Sequence, residues 1–190
     1  MSNNNGDEKG KLVIISGPSG SGKTTICREL IKNPGVKLSV SVTTRPPRPT
    51  EEEGRDYHFV SEQEFEKEIK EERFVEHALY KGTLYGTPAE PLKRALEEGL
   101  VYLLEIDVQG ALQVMKKYPD TVSIFILPPD EEVLKRRLTG RNTDEEQDIA
   151  RRLAIAKDEL RFSSSYKHHV VNDSVEKALD EICNILGLGR

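Results

Sequence analysis

The chain has 190 residues, of which 36% are apolar and 32% are charged, and its formal net charge at pH 7 is -5. A chain of this length can bury a core without disulfides or a structural metal, and its apolar runs fall short of the roughly 18 residues that a membrane span needs. The acidic balance disfavours a general nucleic-acid coat protein.

The N-terminal segment and the cysteines exclude further classes of protein. Residues 1–10, MSNNNGDEKG, are polar and lack the apolar stretch of a secretory signal, so they predict a flexible tail and a cytoplasmic location. Cys27 and Cys183 lie far apart, and the four histidines lack metal-site spacing. The sequence therefore predicts neither a disulfide framework nor a zinc site.

Strands and helices alternate along most of the chain, beginning with KLVIIS at 11–16, an apolar run typical of a buried parallel strand. Ser61 and Glu64 have the spacing of a helix-starting capping box, whereas residues 74–87 are aromatic and predict an irregular segment. Further strands are predicted at 36–44, 100–107, 121–127 and around 169–171. Helices are predicted at 23–32, 61–71, 88–98, 109–118, 130–140, 144–161 and from 174 onward.

This rhythm predicts an α/β fold in which helices flank a parallel sheet. A proline- and arginine-rich stretch interrupts it, and proline is unsuited to central strands. We therefore expect residues 38–87 to form an inserted, mostly antiparallel lobe and residues 128–161 to form a helical lid. The remaining parts are the flexible tail at 1–10 and a core domain formed by 11–37, 88–127 and 162–190.

Residues 17–24, GPSGSGKT, match the motif G-x-x-x-x-G-K-[ST], directly after a predicted strand and at the start of a helix. Glycines let backbone N–H groups converge on phosphate oxygens, and the helix N-terminus adds partial positive charge. Lys23 is expected to reach the β- and γ-phosphates, and Thr24 to offer its hydroxyl to Mg²⁺. The motif predicts a P-loop fold that binds a nucleoside triphosphate. The expected contacts are Gly17, Pro18, Ser19, Gly20, Ser21, Gly22, Lys23, Thr24 and Thr25.

Two acids, Glu105 and Asp107, follow the predicted strand LVYLLEID, at the edge where open α/β sheets bind ligands. Residues two apart on a strand share a face, so both carboxylates point the same way. We expect one of them to serve a metal ion, through a water molecule, and the other to meet a substrate. The alternative is an acid that only stabilises the following helix start.

Arginines occupy inward positions on the two predicted lid helices, where Arg137 and Arg152 fall at the apolar face. Arg141 faces the same way if the first helix extends that far. An unpaired buried guanidinium is costly, so these side chains need an anion. A transferring phosphoryl group suits their planar forks. The alternative partners are acids of the lid, namely Asp144, Glu145 and Asp148.

Several sequence blocks resemble the signature segments of guanylate kinases, in the order of that family. They are SVSVTTRPPR at 39–48, GRDYHFV at 54–60, FVE at 74–76, LYGT at 84–87, LEIDVQG at 104–110 and VND at 171–173. The resemblance extends from about residue 11 to 185. It departs from the family at Thr50, where a glycine is usual.

The resemblance implies direct in-line phosphoryl transfer from ATP to GMP, and also to dGMP, with Mg²⁺, in purine nucleotide metabolism. It implies small-molecule substrates, no nucleic-acid or membrane partner, and a monomer or small homo-oligomer. Catalytic roles fall on Lys23, Arg137, Arg141 and Arg152, an adenine-side contact on Asn172, and the metal on Thr24 and Glu105. The implied GMP contacts are Arg45, Arg48, Tyr57 and Tyr85 for the phosphate and Ser41, Glu76, Thr87 and Asp107 for the guanine.

The chemistry of these residue types agrees with the implied roles. Arginines and tyrosine hydroxyls suit a phosphate dianion, and one carboxylate such as Glu76 can accept both donors of guanine. A related protein-interaction module has no need for Lys23, Thr24 or lid arginines. A GTPase switch would carry an N-K-x-D motif to read guanine, and that motif is absent. A sibling kinase with another phosphorylated acceptor is the nearest enzymatic alternative.

Overall fold

A computed structural model of the protein describes residues 10–80, 82–139 and 146–189, with the backbone alone for 146–149. The strands are β1 (Lys11–Ser16), β2 (Val36–Leu38), β3 (Ser41–Thr43), β4 (Tyr57–Phe59), β5 (Phe74–Tyr80), β6 (Thr83–Pro88), β7 (Val101–Glu105), β8 (Val122–Leu127) and β9 (His168–Val171). The helices are α1 (Lys23–Leu30), α2 (Glu62–Lys70), α3 (Ala89–Glu97), α4 (Val108–Lys117), α5 (Glu131–Thr139), α6 (Glu146–Leu160) and α7 (Val175–Leu186). In these ranges no helix is long and apolar enough to cross a membrane.

The larger sheet has the strand order β2-β7-β1-β8-β9. β2 runs parallel to β7 and β8 runs parallel to β9. Consecutive residues of β1, Val13, Ile14 and Ile15, are all inaccessible to solvent, as expected for a strand covered on both faces. The predicted α/β fold with a parallel sheet and flanking helices is confirmed.

A second sheet of four strands has the order β4-β3-β6-β5. Its β3–β6 and β5–β6 pairs are antiparallel, and its β3–β4 pair is parallel. A small core of its own, formed by Val42, Phe65 and Phe74, fixes helix α2 against it. The rings of Phe65 and Phe74 stack with centroids 4.7 Å apart.

The chain divides into two compact units. The first contains the described residues up to Val13, together with Gly35–Leu104 and Gln109–Thr121, and the second contains Ile14–Pro34, Glu105–Val108 and the residues from Val122 onward. The segment 38–87 falls in the first unit and the described part of 128–161 in the second. The core segments are shared between the two units, and the division into core, lobe and lid stays a prediction.

Two local predictions were wrong. Residues 36–44 form two strands, not one, because the backbone changes partners at Ser39: its N–H still bonds to Leu103, whereas β3 pairs with β6 in the smaller sheet. Residues 74–87, expected to be irregular, form the β5–β6 hairpin. Phe74 at the start of the hairpin packs on Phe65 of α2, a tertiary contact that the local pattern does not reveal.

The capping box at the start of α2 is confirmed. The Ser61 Oγ accepts a hydrogen bond from the Glu64 N–H at 3.2 Å, and the Ser61 N–H donates to the Glu64 carboxylate at 2.9 Å. These bonds satisfy backbone donors that the helix leaves unpaired at its first turn.

Replacing Ser61 with alanine should lower the free energy of unfolding by about 1 kcal/mol, because the Glu64 N–H loses its acceptor. Urea denaturation followed by circular dichroism measures the change. Ser164→Ala, at an exposed serine outside any α-helix cap, is the control and should stay within about 0.5 kcal/mol of the parent. Equal effects of the two substitutions would contradict the capping role.

Candidate nucleotide-binding site

The turn between β1 and α1, residues 17–22, is named here the phosphate loop. Gly17, Gly20 and Gly22 have φ values of 142°, 86° and 95°, which only glycine adopts readily. A Cβ on Gly17 would collide with the backbone of Ile126, and one on Gly22 with the side-chain amide of Asn172. The loop that the motif predicts is therefore built as expected, and α1 begins directly after it at Lys23.

Lys23 lies over the phosphate loop. Its Nζ donates hydrogen bonds to the carbonyl oxygens of Gly17, at 2.6 Å, and Pro18, at 3.0 Å. Burial lowers the pKa of the Lys23 ammonium, and the nearby carboxylates of Glu105 and Glu159 oppose that shift. The Lys23 ammonium is thus held on the loop by two uncharged carbonyl oxygens, which a phosphate can replace.

Arg137 and Asn172 brace the backbone of the loop at Ser21. The Ser21 carbonyl oxygen accepts from the Asn172 amide at 2.7 Å and from the Arg137 guanidinium at 3.3 Å. Arg137 also donates to the Asn172 carbonyl oxygen at 3.0 Å. Asn172 is only 2% exposed. Sequence predicted a contact of Asn172 with the donor nucleotide near its adenine, and the structure places this side chain against the loop backbone.

The other predicted lid arginines differ in where they lie. Arg152, on α6, donates to the Leu138 carbonyl oxygen near the end of α5 at 3.1 Å. Arg137 and Arg152 are half-buried, whereas Arg136 and Arg151 are exposed, as the helical periodicity predicts. Arg141 and its predicted alternative partners Asp144, Glu145 and Asp148 lie outside the residues whose side chains are described.

Oxygen ligands of the kind that Mg²⁺ prefers meet beside the loop. The Thr24 hydroxyl donates to the Glu105 carboxylate at 2.6 Å. Asp107 belongs to the same unit and acts electrostatically on Lys23, more weakly than Glu105. Among the described residues no cluster of three or more His, Cys, Asp or Glu side chains could hold a metal. A hydroxyl and one carboxylate nevertheless fit Mg²⁺ that arrives with nucleotide phosphates and water.

Glu159 is a site residue that the sequence reading missed. Its Oε2 accepts a hydrogen bond from the Ser19 N–H of the phosphate loop at 3.3 Å. It lies seven residues after Arg152 and three after the buried Ala156, so helical spacing could have placed it on the inward face of α6. Its carboxylate occupies a backbone donor of the kind that binds phosphate oxygens.

A second set of cationic side chains lies in the first unit, around Glu51. The Arg45 guanidinium donates to Glu51 at 2.9 Å and to the Tyr85 hydroxyl at 3.4 Å, and it lies 5.5 Å from the centre of the Tyr57 ring. The Arg48 N–H donates to the other oxygen of Glu51 at 2.8 Å. The four residues predicted to bind the acceptor phosphate are thus gathered at one place.

Glu51 was also missed, although its position three residues after Arg48 is a usable signal. Burial works against its ionisation, but hydrogen bonds from the Arg48 N–H and the Arg45 guanidinium outweigh that effect and lower the pKa of Glu51. The carboxylate is therefore ionised at neutral pH and serves as the anion for both arginines.

Glu76 and Thr87 face each other across the β5–β6 hairpin. The Thr87 hydroxyl donates to Glu76 Oε1 at 2.6 Å, and Glu76 is 5% exposed. Ser41, also predicted for the base, lies in β3 opposite Tyr57. Asp107, the fourth predicted guanine residue, belongs to the second unit.

Comparison with known proteins points to one family. The family described as guanylate kinase matches residues 9–187. The chain is 46% identical to the guanylate kinase of Clostridium tetani, over 94% of this chain and 86% of that protein. It is 48% identical to that of Rubrobacter xylanophilus, over 94% of each chain.

Comparison with solved structures points to the same family. Guanylate kinase from Anaplasma phagocytophilum superposes with a TM-score of 0.80 at 35% identity, over 95% of this chain and 86% of that one. Shikimate kinase from Bacteroides thetaiotaomicron, with a TM-score of 0.52 at 16% identity over 94% of this chain and 99% of that one, shares the fold alone.

Replacing Glu159 with glutamine should tighten binding of a non-hydrolysable nucleoside triphosphate analogue about two- to fivefold. A phosphate then no longer displaces a carboxylate from the Ser19 N–H or meets its negative charge. Isothermal titration calorimetry at fixed Mg²⁺ measures the dissociation constant. Glu132→Gln, at an exposed acid of α5, is the matched control and should leave it unchanged. Unchanged or weaker binding by the Glu159 variant would contradict this role.

Proposed function

The chain belongs to the guanylate kinase family and phosphorylates GMP with ATP, and we propose that each of its two units supplies one of the two phosphate sites. The observation that carries this assignment is that in each unit a carboxylate lies against groups that can bind phosphate. Ser19 and Lys23 face Glu159 in one unit, and Arg45 and Arg48 bind Glu51 in the other.

The donor site is the phosphate loop. The backbone N–H groups between Gly17 and Thr25, apart from Pro18, which has none, and the N-terminus of α1 bind the ATP phosphates, with Lys23 at the β- and γ-phosphates. Thr24 and Glu105 would hold Mg²⁺ there, Glu105 through a water molecule, and the contact between their side chains at 2.6 Å supports this pairing. The metal neutralises charge on the phosphates when it is bound. Asn172 lies on the adenine side of this site.

The acceptor phosphate takes the place of the Glu51 carboxylate. Arg45 and Arg48 donate charge-assisted hydrogen bonds to it, and the hydroxyls of Tyr57 and Tyr85 complete its shell without adding charge. The Arg45 to Tyr85 contact at 3.4 Å supports this arrangement. We propose dGMP as a second acceptor, because the assigned contacts are to the phosphate and the base, which GMP and dGMP share.

Guanine is read by the carboxylate of Glu76, which accepts both the N1–H and the exocyclic amine. Its low exposure and its bond to Thr87 support this role, because the bond fixes one oxygen of a carboxylate that is shielded from water. Ser41 and Asp107 are also assigned to the base. Adenine offers an acceptor where guanine offers N1–H, and so sets a lone pair against the Glu76 carboxylate.

The transfer itself needs no side-chain nucleophile. The oxygen of the GMP phosphate is a nucleophile at neutral pH, so the protein contributes in-line positioning and charge neutralisation. Lys23, Arg137, Arg141 and Arg152 supply the positive charge around the transferring group. The half-buried positions of Arg137 and Arg152 support their part in this role.

The setting of the reaction follows from its substrates. We place the enzyme in cytoplasmic purine nucleotide metabolism, acting on small molecules and not on nucleic acid or membrane. The net charge of -5 favours this over a polyanionic partner. We propose a monomer or a small homo-oligomer.

Replacing Lys23 with alanine should lower kcat/KM for phosphoryl transfer about 10²- to 10³-fold, because a charge on the transferring phosphate is lost. The protein should stay folded, since Lys23 contacts loop carbonyls and not the core. A coupled assay of ADP release from ATP and GMP, beside circular dichroism, measures both. Lys93→Ala, at an exposed lysine of α3, is the control. If the Lys23 variant is folded and its turnover is close to that of the parent protein, the donor-site assignment is contradicted.

Replacing Glu76 with glutamine should lower the ratio of kcat/KM for GMP to that for AMP about ten- to a hundredfold, because the amide keeps one acceptor and adds a donor. Affinity for an ATP analogue should not change. The exposed Glu66 of α2 offers the matched control, Glu66→Gln. An unchanged ratio, or a loss of ATP affinity instead, would contradict the role of Glu76 in base selection.

A further inference from the structure

Helix α4 approaches the Glu76 carboxylate at Gly110, the third residue of the helix. A Cβ on Gly110 would collide with Glu76 Oε2 and would lie 2.9 Å from its Cδ. The φ of Gly110 is not among the positive ones, so glycine is required here by space and not by backbone conformation. The first turn of α4 also places its partial positive charge beside this carboxylate.

One turn further along α4, Gln113 binds the backbone of the residue after Glu76. Its Nε2 donates to the His77 carbonyl oxygen at 2.8 Å, and its Oε1 accepts from the His77 N–H at 3.4 Å. The amide therefore pairs with β5 as a neighbouring strand would. The β5–β6 register shifts between Phe74 and Glu76, where a bulge changes the direction of the side chains. The contact with Gln113 therefore fixes β5 close to a point at which its pairing with β6 is irregular.

We propose that Gly110 and Gln113 are positioning residues for guanine selection, and that α4 fixes the orientation of the Glu76 carboxylate. This inference rests on the proposed role of Glu76. A carboxylate accepts the two parallel donors of guanine together only when its plane lies with theirs. Thr87 fixes one oxygen, the backbone of α4 limits the other, and Gln113 fixes the strand that carries both.

A substitution at Gly110 should affect the selectivity for guanine and the stability of the protein in different ways. Alanine within a helix is favoured over glycine by about 1 kcal/mol. The obstructing atoms belong to the end of a flexible side chain, so the added methyl group is accommodated when the Glu76 carboxylate moves. Gly110→Ala should therefore keep or raise thermal stability while it disturbs base selection. A purely structural glycine would lose both.

The experiment measures kcat and KM for GMP, AMP and ATP, with melting temperatures, in Gly110→Ala and Gln113→Leu. We expect kcat/KM for GMP to fall about three- to tenfold in each, mainly through KM for GMP, with a lower GMP-to-AMP ratio and unchanged KM for ATP. Gly189→Ala, where a Cβ meets open space, and Gln63→Leu, at an exposed glutamine of α2, are the controls and should match the parent.

Double variants with Glu76→Gln test whether the effect passes through Glu76. In that background Gly110→Ala and Gln113→Leu should lower the GMP-to-AMP ratio no further. Parent-like ratios in the single variants, fully additive losses, or losses that parallel a fall in melting temperature would overturn the inference. If Glu76→Gln alone leaves the ratio unchanged, the role of Glu76 fails and this inference fails with it. If Glu76→Gln lowers the ratio and the α4 variants do not, only this inference fails.

Discussion

A cationic side chain that binds phosphate needs other partners when no phosphate is bound. This requirement determines the contacts in both candidate sites. An unpaired guanidinium or ammonium away from water is costly, so each is given a partner that a phosphate can replace. Lys23 donates to loop carbonyl oxygens near Glu105 and Glu159, and the half-buried Arg45 guanidinium donates to Glu51, which also accepts from the backbone N–H of Arg48. Carboxylates that take no part in phosphate chemistry therefore lie beside these groups before the phosphate binds.

The same constraint explains why the two sites are built on different kinds of backbone. The phosphate loop binds through main-chain donors, which a glycine-rich turn and a helix start can aim without side chains. The acceptor residues bind through side chains and therefore need strands to carry them at fixed spacing. The ring centres of Tyr57 in β4 and Tyr85 in β6 lie 5.9 Å apart. Arg45 lies two residues after the end of β3.

A feature could be predicted from the sequence when residues close together in the chain determine it. The phosphate loop, strand β1 and the capping box of Ser61 are set by a few neighbouring residues, and they could be read directly. The break of residues 36–44 into two strands depends on partners distant in the chain, and the β5–β6 hairpin depends on its packing against α2 and its pairing with β3. Glu51 and Glu159 were marked only by their spacing from neighbouring residues, and that signal gains meaning once their partners are known.

The contact between Gly22 and Asn172 has a consequence for how this sequence can change over evolutionary time. The Asn172 side-chain amide fills the space that a side chain at position 22 would need, and it donates to the Ser21 carbonyl oxygen, while Arg137 binds the backbone carbonyl of Asn172. A substitution at either position alone disrupts a contact between segments some 150 residues apart in sequence. A smaller residue at 172 would clear the space but leave the Ser21 carbonyl without that donor, and the left-handed backbone at 22 would still favour glycine. Substitutions at the two positions are therefore coupled, and the residue that follows the last strand is constrained by a loop near the start of the chain.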